Sequence, residues 1–178
     1  SKFDLKNDDF VITILGGREG GNYTEKLLTR FLKHLPECRF IVQCGLNHAL
    51  YSRIKQIAKK NKNVHTLGFV KSMRELYAAS DLVITKPGAI TVSELIVSKV
   101  PFILTAWPAV MPQERGNVEF VAENALGCVA YSVYDLINII KNRLYEKNEN
   151  NPNNEIRQNL YGTKRIGDRI VSLINDNR

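Results

Sequence analysis

Leu82-Val83-Ile84-Thr85-Lys86-Pro87-Gly88-Ala89-Ile90-Thr91-Val92-Ser93-Glu94 decides how this chain is read. Its first four residues form an apolar run too short for a helix, so they read as a buried strand. Pro87 fixes φ and Gly88 frees the backbone, which together make a sharp turn. A helix then opens at the strand's C-terminal edge, with free N–H groups and the positive end of its dipole. Such an end attracts anions, phosphate above all. Glu94 lies within about two helical turns of that end, placed to accept hydrogen bonds from sugar hydroxyls. The same residues also match a capping box, in which Thr91 caps the helix and Glu94 folds back onto it. The stretch alone leaves both readings open.

Outward from it, apolar strands alternate with amphipathic helices. Residues 10–15 read as a buried strand that runs directly into Gly16-Gly17-Arg18-Glu19-Gly20-Gly21. A helix follows from near Asn22, with Leu27, Leu28, Phe31, Leu32 and Leu35 on one face. Residues 39–44 form a second strand, 49–60 a second helix and 64–67 a third strand, and Ser72 is expected to cap a short helix through Ala79. Downstream, 100–105 is a fifth strand, Pro112 opens a helix that runs to Asn124, 127–131 is a sixth strand and 134–146 is helical. A core over 10–146, an Asn-rich polar linker over 147–154 and a last helix over 156–174, broken at Gly162, make one domain of residues 1–178.

This alternation predicts an α/β fold, a Rossmann-like doubly wound parallel sheet of about six strands with helices on both faces. The expected strand order is 3-2-1-4-5-6. Ligands bind such sheets at the C-terminal ends of strands 1 and 4, where the winding reverses. Gly16-Gly17 and Lys86-Pro87-Gly88 fall at those two ends, so topology places both turns in one crevice.

Composition narrows the partners. The chain has 178 residues, 44% apolar and 24% charged, ordinary for a globular domain. No apolar run approaches the roughly 18 residues of a membrane span, and no secretory signal pattern appears. The net charge of +7 suits phosphorylated ligands, an anionic membrane surface or nucleic acid. The cations are scattered with no aromatic residues interleaved, which argues against nucleic acid. Cys38, Cys44 and Cys128 lack metal-ligand spacing and read as reduced structural thiols in a cytosolic setting. The glycine loop does not give G-x-G-x-x-G in register, and Cys44-Gly45 stands where a dinucleotide site carries an acidic residue, which argues against NAD. Lys86 lacks the glycine spacing of a Walker loop.

The stretch 88–94 closely resembles the donor-binding motif of the GT-B glycosyltransferases that make lipid II. The wider set resembles the monogalactosyldiacylglycerol synthase and processive diacylglycerol glucosyltransferase branch. Its pieces are Gly16-Gly17-Arg18-Glu19-Gly20, Gly68-Phe69-Val70, Ile84-Thr85-Lys86-Pro87-Gly88 and Pro112-Gln113-Glu114-Arg115-Gly116-Asn117, in order across about residues 10 to 130.

The resemblance implies one half of a GT-B fold, a C-terminal domain that binds a UDP-sugar. Phe69 and the backbone of Val70 would hold the uracil; by position alone, Phe69 also suits a core aromatic after the third strand. Gly88, Ala89, Ile90 and Thr91 would hold the phosphates, and Glu94 the ribose hydroxyls. Gln113, Glu114 and Asn117 would read the sugar, and helical spacing puts Asn117 on one face with either of the others. Gly17 would sit near the diphosphate or the sugar. Gly116 within a helix suggests close approach of a ligand or a neighbouring backbone.

Arg18 departs from the hydroxyl residue of the lipid II type and fits both a phosphate contact and a solvent-facing loop. The resemblance also implies a hexose passed to a lipid acceptor such as diacylglycerol, with acceptor site and catalytic base in a missing amino-terminal half. It implies an enzyme at the cytoplasmic face, peripherally bound to an anionic membrane surface, with the isolated domain inactive. His34, His48 and His65 are expected on helices or strands away from both glycine turns. No Asp-x-Asp occurs, so no metal and no other cofactor is expected on the diphosphate. Two alternatives share the fold: a stand-alone donor subunit of a split UDP-GlcNAc transferase, and a UDP-GlcNAc epimerase-type enzyme.

Overall fold

Val11-Ile12-Thr13-Ile14-Leu15 forms the first strand, β1, and all five residues are buried. An apolar run buried at every position needs cover on both sides of the sheet. A computed structural model of the chain describes residues 9–18, 21 and 23–148. Six parallel strands follow the order β3-β2-β1-β4-β5-β6: β1, β2 (Arg39–Gln43), β3 (Val64–Leu67), β4 (Leu82–Thr85), β5 (Phe102–Thr105) and β6 (Cys128–Ala130). Between them lie α1 (Thr24–His34), α2 (His48–Lys60), α3 (Arg74–Ala78), α4 (Ala89–Ser98) and α5 (Arg115–Glu123), and α6 (Val133–Asn148) follows β6. The expected fold class and strand order are those observed.

Period-two alternation divides the strand residues between two cores. Ile12, Ile14, Phe40, Val42, Leu82, Ile84 and Ile103 pack under α1, α2 and α6, together with Leu28, Phe31, Ile54 and Leu136. Val11, Ile41, Val83, Phe102 and Leu104 face α3, α4 and α5, with Leu76, Leu95 and Val121. Phe31 and Phe40 stack with centroids 5.9 Å apart. Cys38 and Cys44 are fully buried, and burial pushes their thiols up to about 12 and about 11. They are packing residues, with little thiolate at neutral pH.

Several element ends differ from expectation. Asn47 caps α2, its Oδ1 accepting from the Leu50 N–H at 2.8 Å. Ser72 caps nothing: α3 starts at Arg74 behind Met73, which places Ser72 one residue too early. Pro112 opens a 3-10 turn over Pro112–Glu114, and α5 begins only at Arg115. The helix α6 reaches Asn148, which takes in the first two residues of the expected linker. The rest of that linker, the helix over 156–174, and Glu19, Gly20 and Asn22 lie outside the described residues. The helix expected from near Asn22 begins at Thr24, behind Tyr23.

Candidate functional site

The winding reverses between β1 and β4, which pair directly through Ile12, Thr13 and Ile14. At their C-terminal ends the two turns meet, as topology required. Gly17 has φ +70, and a Cβ there would stand 3.6 Å from Lys86 Cε. A third segment braces the first turn. The Gly16 N–H donates to the Gln43 carbonyl at 2.9 Å, and the Leu46 N–H to the Arg18 carbonyl at 2.8 Å. Gly45, at φ +59, lets the loops close, since a Cβ on it would run into the carbonyl oxygens of Gly17 and Arg18. Sequence reasoning missed this role; its signal was a glycine directly after a buried strand.

The opening stretch folds as strand, turn and helix. Gly88 is the N-cap of α4, and the first helical bond runs from the Val92 N–H to the Gly88 carbonyl at 3.0 Å. The N–H groups of Ala89, Ile90 and Thr91 therefore have no intrahelical acceptor. Thr91 is the third residue of the helix, so the capping-box reading fails. Glu94 turns instead toward Tyr77 of α3, whose hydroxyl donates to Glu94 Oε2 at 2.8 Å. Tyr77 was not anticipated, because its position within an apolar helical pattern reads as packing.

These segments wall a cleft of about 490 Å³ that contains Gly17, Arg18, Phe69, Val70, Thr91 and Glu94. Phe69 is 55% exposed, which rules out the core-aromatic reading, and it lines the cleft. Arg18 is exposed on the loop and lines the same cleft. Gly88, Ala89 and Ile90 precede Thr91 at the helix end, with Ile90 78% exposed.

The three residues expected around the sugar lie outside the cleft lining, and two of them, Glu114 and Asn117, contact the β4–α4 turn. Glu114 Oε1 is 3.5 Å from Lys86 Nζ, and Asn117 Nδ2 donates to the Pro87 carbonyl at 2.8 Å. Gln113 is exposed on the 3-10 turn, 3.6 Å from the Met111 sulfur. Gln113 and Glu114 thus precede α5, so neither shares an α-helical face with Asn117; Glu114 and Asn117 converge on the turn over Lys86 and Pro87 instead. Nothing lies within 4 Å of a Cβ built on Gly116, so no neighbouring backbone explains that glycine.

His34 ends α1 and His65 lies in β3, both outside the cleft lining. His48 opens α2 two residues after Leu46, which puts it nearer the glycine loop than expected, exposed and also outside the lining. Among the described residues no group of three or more His, Cys, Asp and Glu side chains is arranged to hold a metal ion. No helix among them is long and apolar enough to cross a membrane.

Comparison with known proteins bears on the family and the fold. The processive diacylglycerol beta-glucosyltransferase of Staphylococcus carnosus is 32% identical over 123 residues, which cover 68% of this chain and 31% of that protein. The enzyme of the same name from Bacillus licheniformis is 28% identical over 160 residues, covering 89% and 40%. The chain therefore spans about a third to two fifths of the length of these relatives. Among solved structures, MurG of Acinetobacter baumannii superposes with a TM-score of 0.67 at 20% identity, over 98% of this chain and 52% of that one. UDP-GlcNAc 2-epimerase of Neisseria meningitidis, bound to UDP-GlcNAc, gives 0.62 at 14% identity, over 96% and 46%. At these identities the two structures speak for the fold alone. The glycosyltransferase family 28 C-terminal domain matches residues 11–170, from the first strand past the last described helix, and the chain belongs to that family, built as one half of a GT-B fold.

Proposed function

We propose that this chain is the donor-binding half of a glycosyltransferase that moves a hexose from a UDP-sugar to a lipid acceptor, diacylglycerol by analogy with the relatives named above. One observation carries the reading: four segments distant in sequence converge on one cleft, bringing Gly17, Phe69, Val70, Thr91 and Glu94 together at the switch point. Phe69 and the Val70 backbone take the uracil, and Glu94 takes the ribose hydroxyls. The N–H groups of Ala89, Ile90 and Thr91, with the helix dipole, take the diphosphate. Lys86 adds a cation at the same turn. A sugar beyond the diphosphate meets the Gly17 loop on one side and Gln113, Glu114 and Asn117 on the other. Charge that grows on the departing UDP is met by backbone donors and the helix end, with no metal and no cofactor in the scheme.

In this reading the acceptor site and the catalytic base belong to an amino-terminal half. The net charge of +7 holds the enzyme to an anionic cytoplasmic membrane surface. A thermal-shift and calorimetric panel tests the donor site. UDP at 100 times its dissociation constant should add about 2.7 kcal/mol of stability, while GDP and NAD add little. Equal shifts from NAD, or none from millimolar UDP, would overturn the proposal.

A further inference from the structure

Tyr77 is 3% exposed and belongs to the same core as Val83, Val92 and Leu95. If the ring were there only to pack, phenylalanine would serve without a polar atom to satisfy. Instead its hydroxyl donates to Glu94 at 2.8 Å, and both residues line the cleft. The bond joins α3 to α4 across 17 positions, and its acceptor is an exposed carboxylate that water would otherwise serve. We propose that Tyr77 is a positioning residue for nucleotide recognition, its hydroxyl holding the Glu94 carboxylate in the orientation that meets the ribose. The inference rests on the cleft being a uridine nucleotide site.

The physical case is one of preorganisation. An exposed glutamate samples many rotamers and loses that freedom when it binds a ligand. Tyr77 is itself locked by the core, so a bond from it fixes the glutamate before the ligand arrives. The fixed carboxylate keeps enough acceptor capacity for two hydroxyls, since each oxygen has two lone pairs and Tyr77 occupies one. Burial, the hydrogen bond to Glu94 and the charge of Glu94 all raise the tyrosine pKa above its ordinary value. The hydroxyl therefore remains a donor throughout the neutral range.

Titration calorimetry with UDP and 2′,3′-dideoxy-UDP tests the assignment on the whole chain. The wild type should prefer UDP about tenfold or more, the worth of hydrogen bonds to a charged acceptor. Tyr77→Phe keeps the ring and its packing. It should weaken UDP roughly five- to tenfold, leave the dideoxy nucleotide within about twofold, and so cut the preference by about the same five- to tenfold. In a Glu94→Ala background the same substitution should change neither affinity, and thermal melts of each variant report on the fold. A tyrosine with a packing role alone would leave both affinities unchanged on Tyr77→Phe, since the ring stays in place. If Tyr77→Phe retains the full preference for UDP, the positioning role is overturned while the site stands. If the wild type shows no preference, the ribose role of Glu94 falls and takes that of Tyr77 with it. If UDP does not bind at all, the cleft reading itself fails.

Discussion

Replacing Glu94 with alanine separates two roles that the residue pattern left side by side. With Gly88 as the cap, the carboxylate contributes little to starting α4. Glu94→Ala should cost about 1.5–3 kcal/mol of UDP binding, the value of a charge-assisted pair to ribose hydroxyls. Its stability cost should stay below about 1 kcal/mol, since one hydrogen bond to Tyr77 at the cleft wall is lost. Calorimetry and denaturant melts on one preparation separate the terms; a cost confined to stability would remove Glu94 from the site. Glu94 stood out as a candidate because it is an acid close to a helix end, although the same stretch also matched a capping box. Tyr77 did not, because its role depends on α3 lying against α4, which no local pattern states. Gly45 was noticed only as the lack of an acid, while its positive φ and the two carbonyls against it exist only once the loops close.

At the scale of the element, strands were easier to read than helix ends. An apolar run of four or five residues between turns has one interpretation when helices flank it. A helix start depends on which residue meets the first free N–H groups, and Ser72 and Pro112 each misplaced one. At Pro112 the error mattered for the site. A 3-10 turn puts three residues in each turn, so Gln113 and Glu114 leave in different directions from those of an α-helix. That is why Glu114 reaches Lys86 while Gln113 faces solvent. The glycine at 116 gives a direct check. With open space where its Cβ would stand, Gly116→Ala should stabilise the domain by roughly 0.5–1 kcal/mol in denaturant titration. UDP affinity should not change. A loss confined to UDP-hexose would set the sugar against α5, and a loss of stability would show that helix propensity does not govern this turn.

For the whole molecule, the doubly wound order was legible because βα alternation with right-handed crossovers leaves few topologies. The residues expected around the sugar were less so, because Gln113, Glu114 and Asn117 lie outside the lining of the described cleft. The proposed division of labour predicts what the chain lacks. Given radiolabelled UDP-hexose and diacylglycerol vesicles, it should bind donor and form no glycolipid, since near-attack geometry needs acceptor, base and donor together. An amino-terminal half, fused or added in trans, should restore transfer, more so on anionic vesicles. Robust transfer by this chain alone would show that one of its own side chains is catalytic.

The strand order has a further consequence during synthesis. One edge of β1 pairs with β2, which follows soon after, but its other edge waits for β4; the bond from the Val11 N–H to Asp81 Oδ2 spans 70 positions. At ribosomal rates of 5–20 residues per second, that edge stays bare for about 4–14 s. A bare apolar edge in a nascent chain is a template for wrong pairing, and non-local parallel strands are slow to form. The crevice lies on that seam, so it comes into being only when the two halves of the nascent sheet meet.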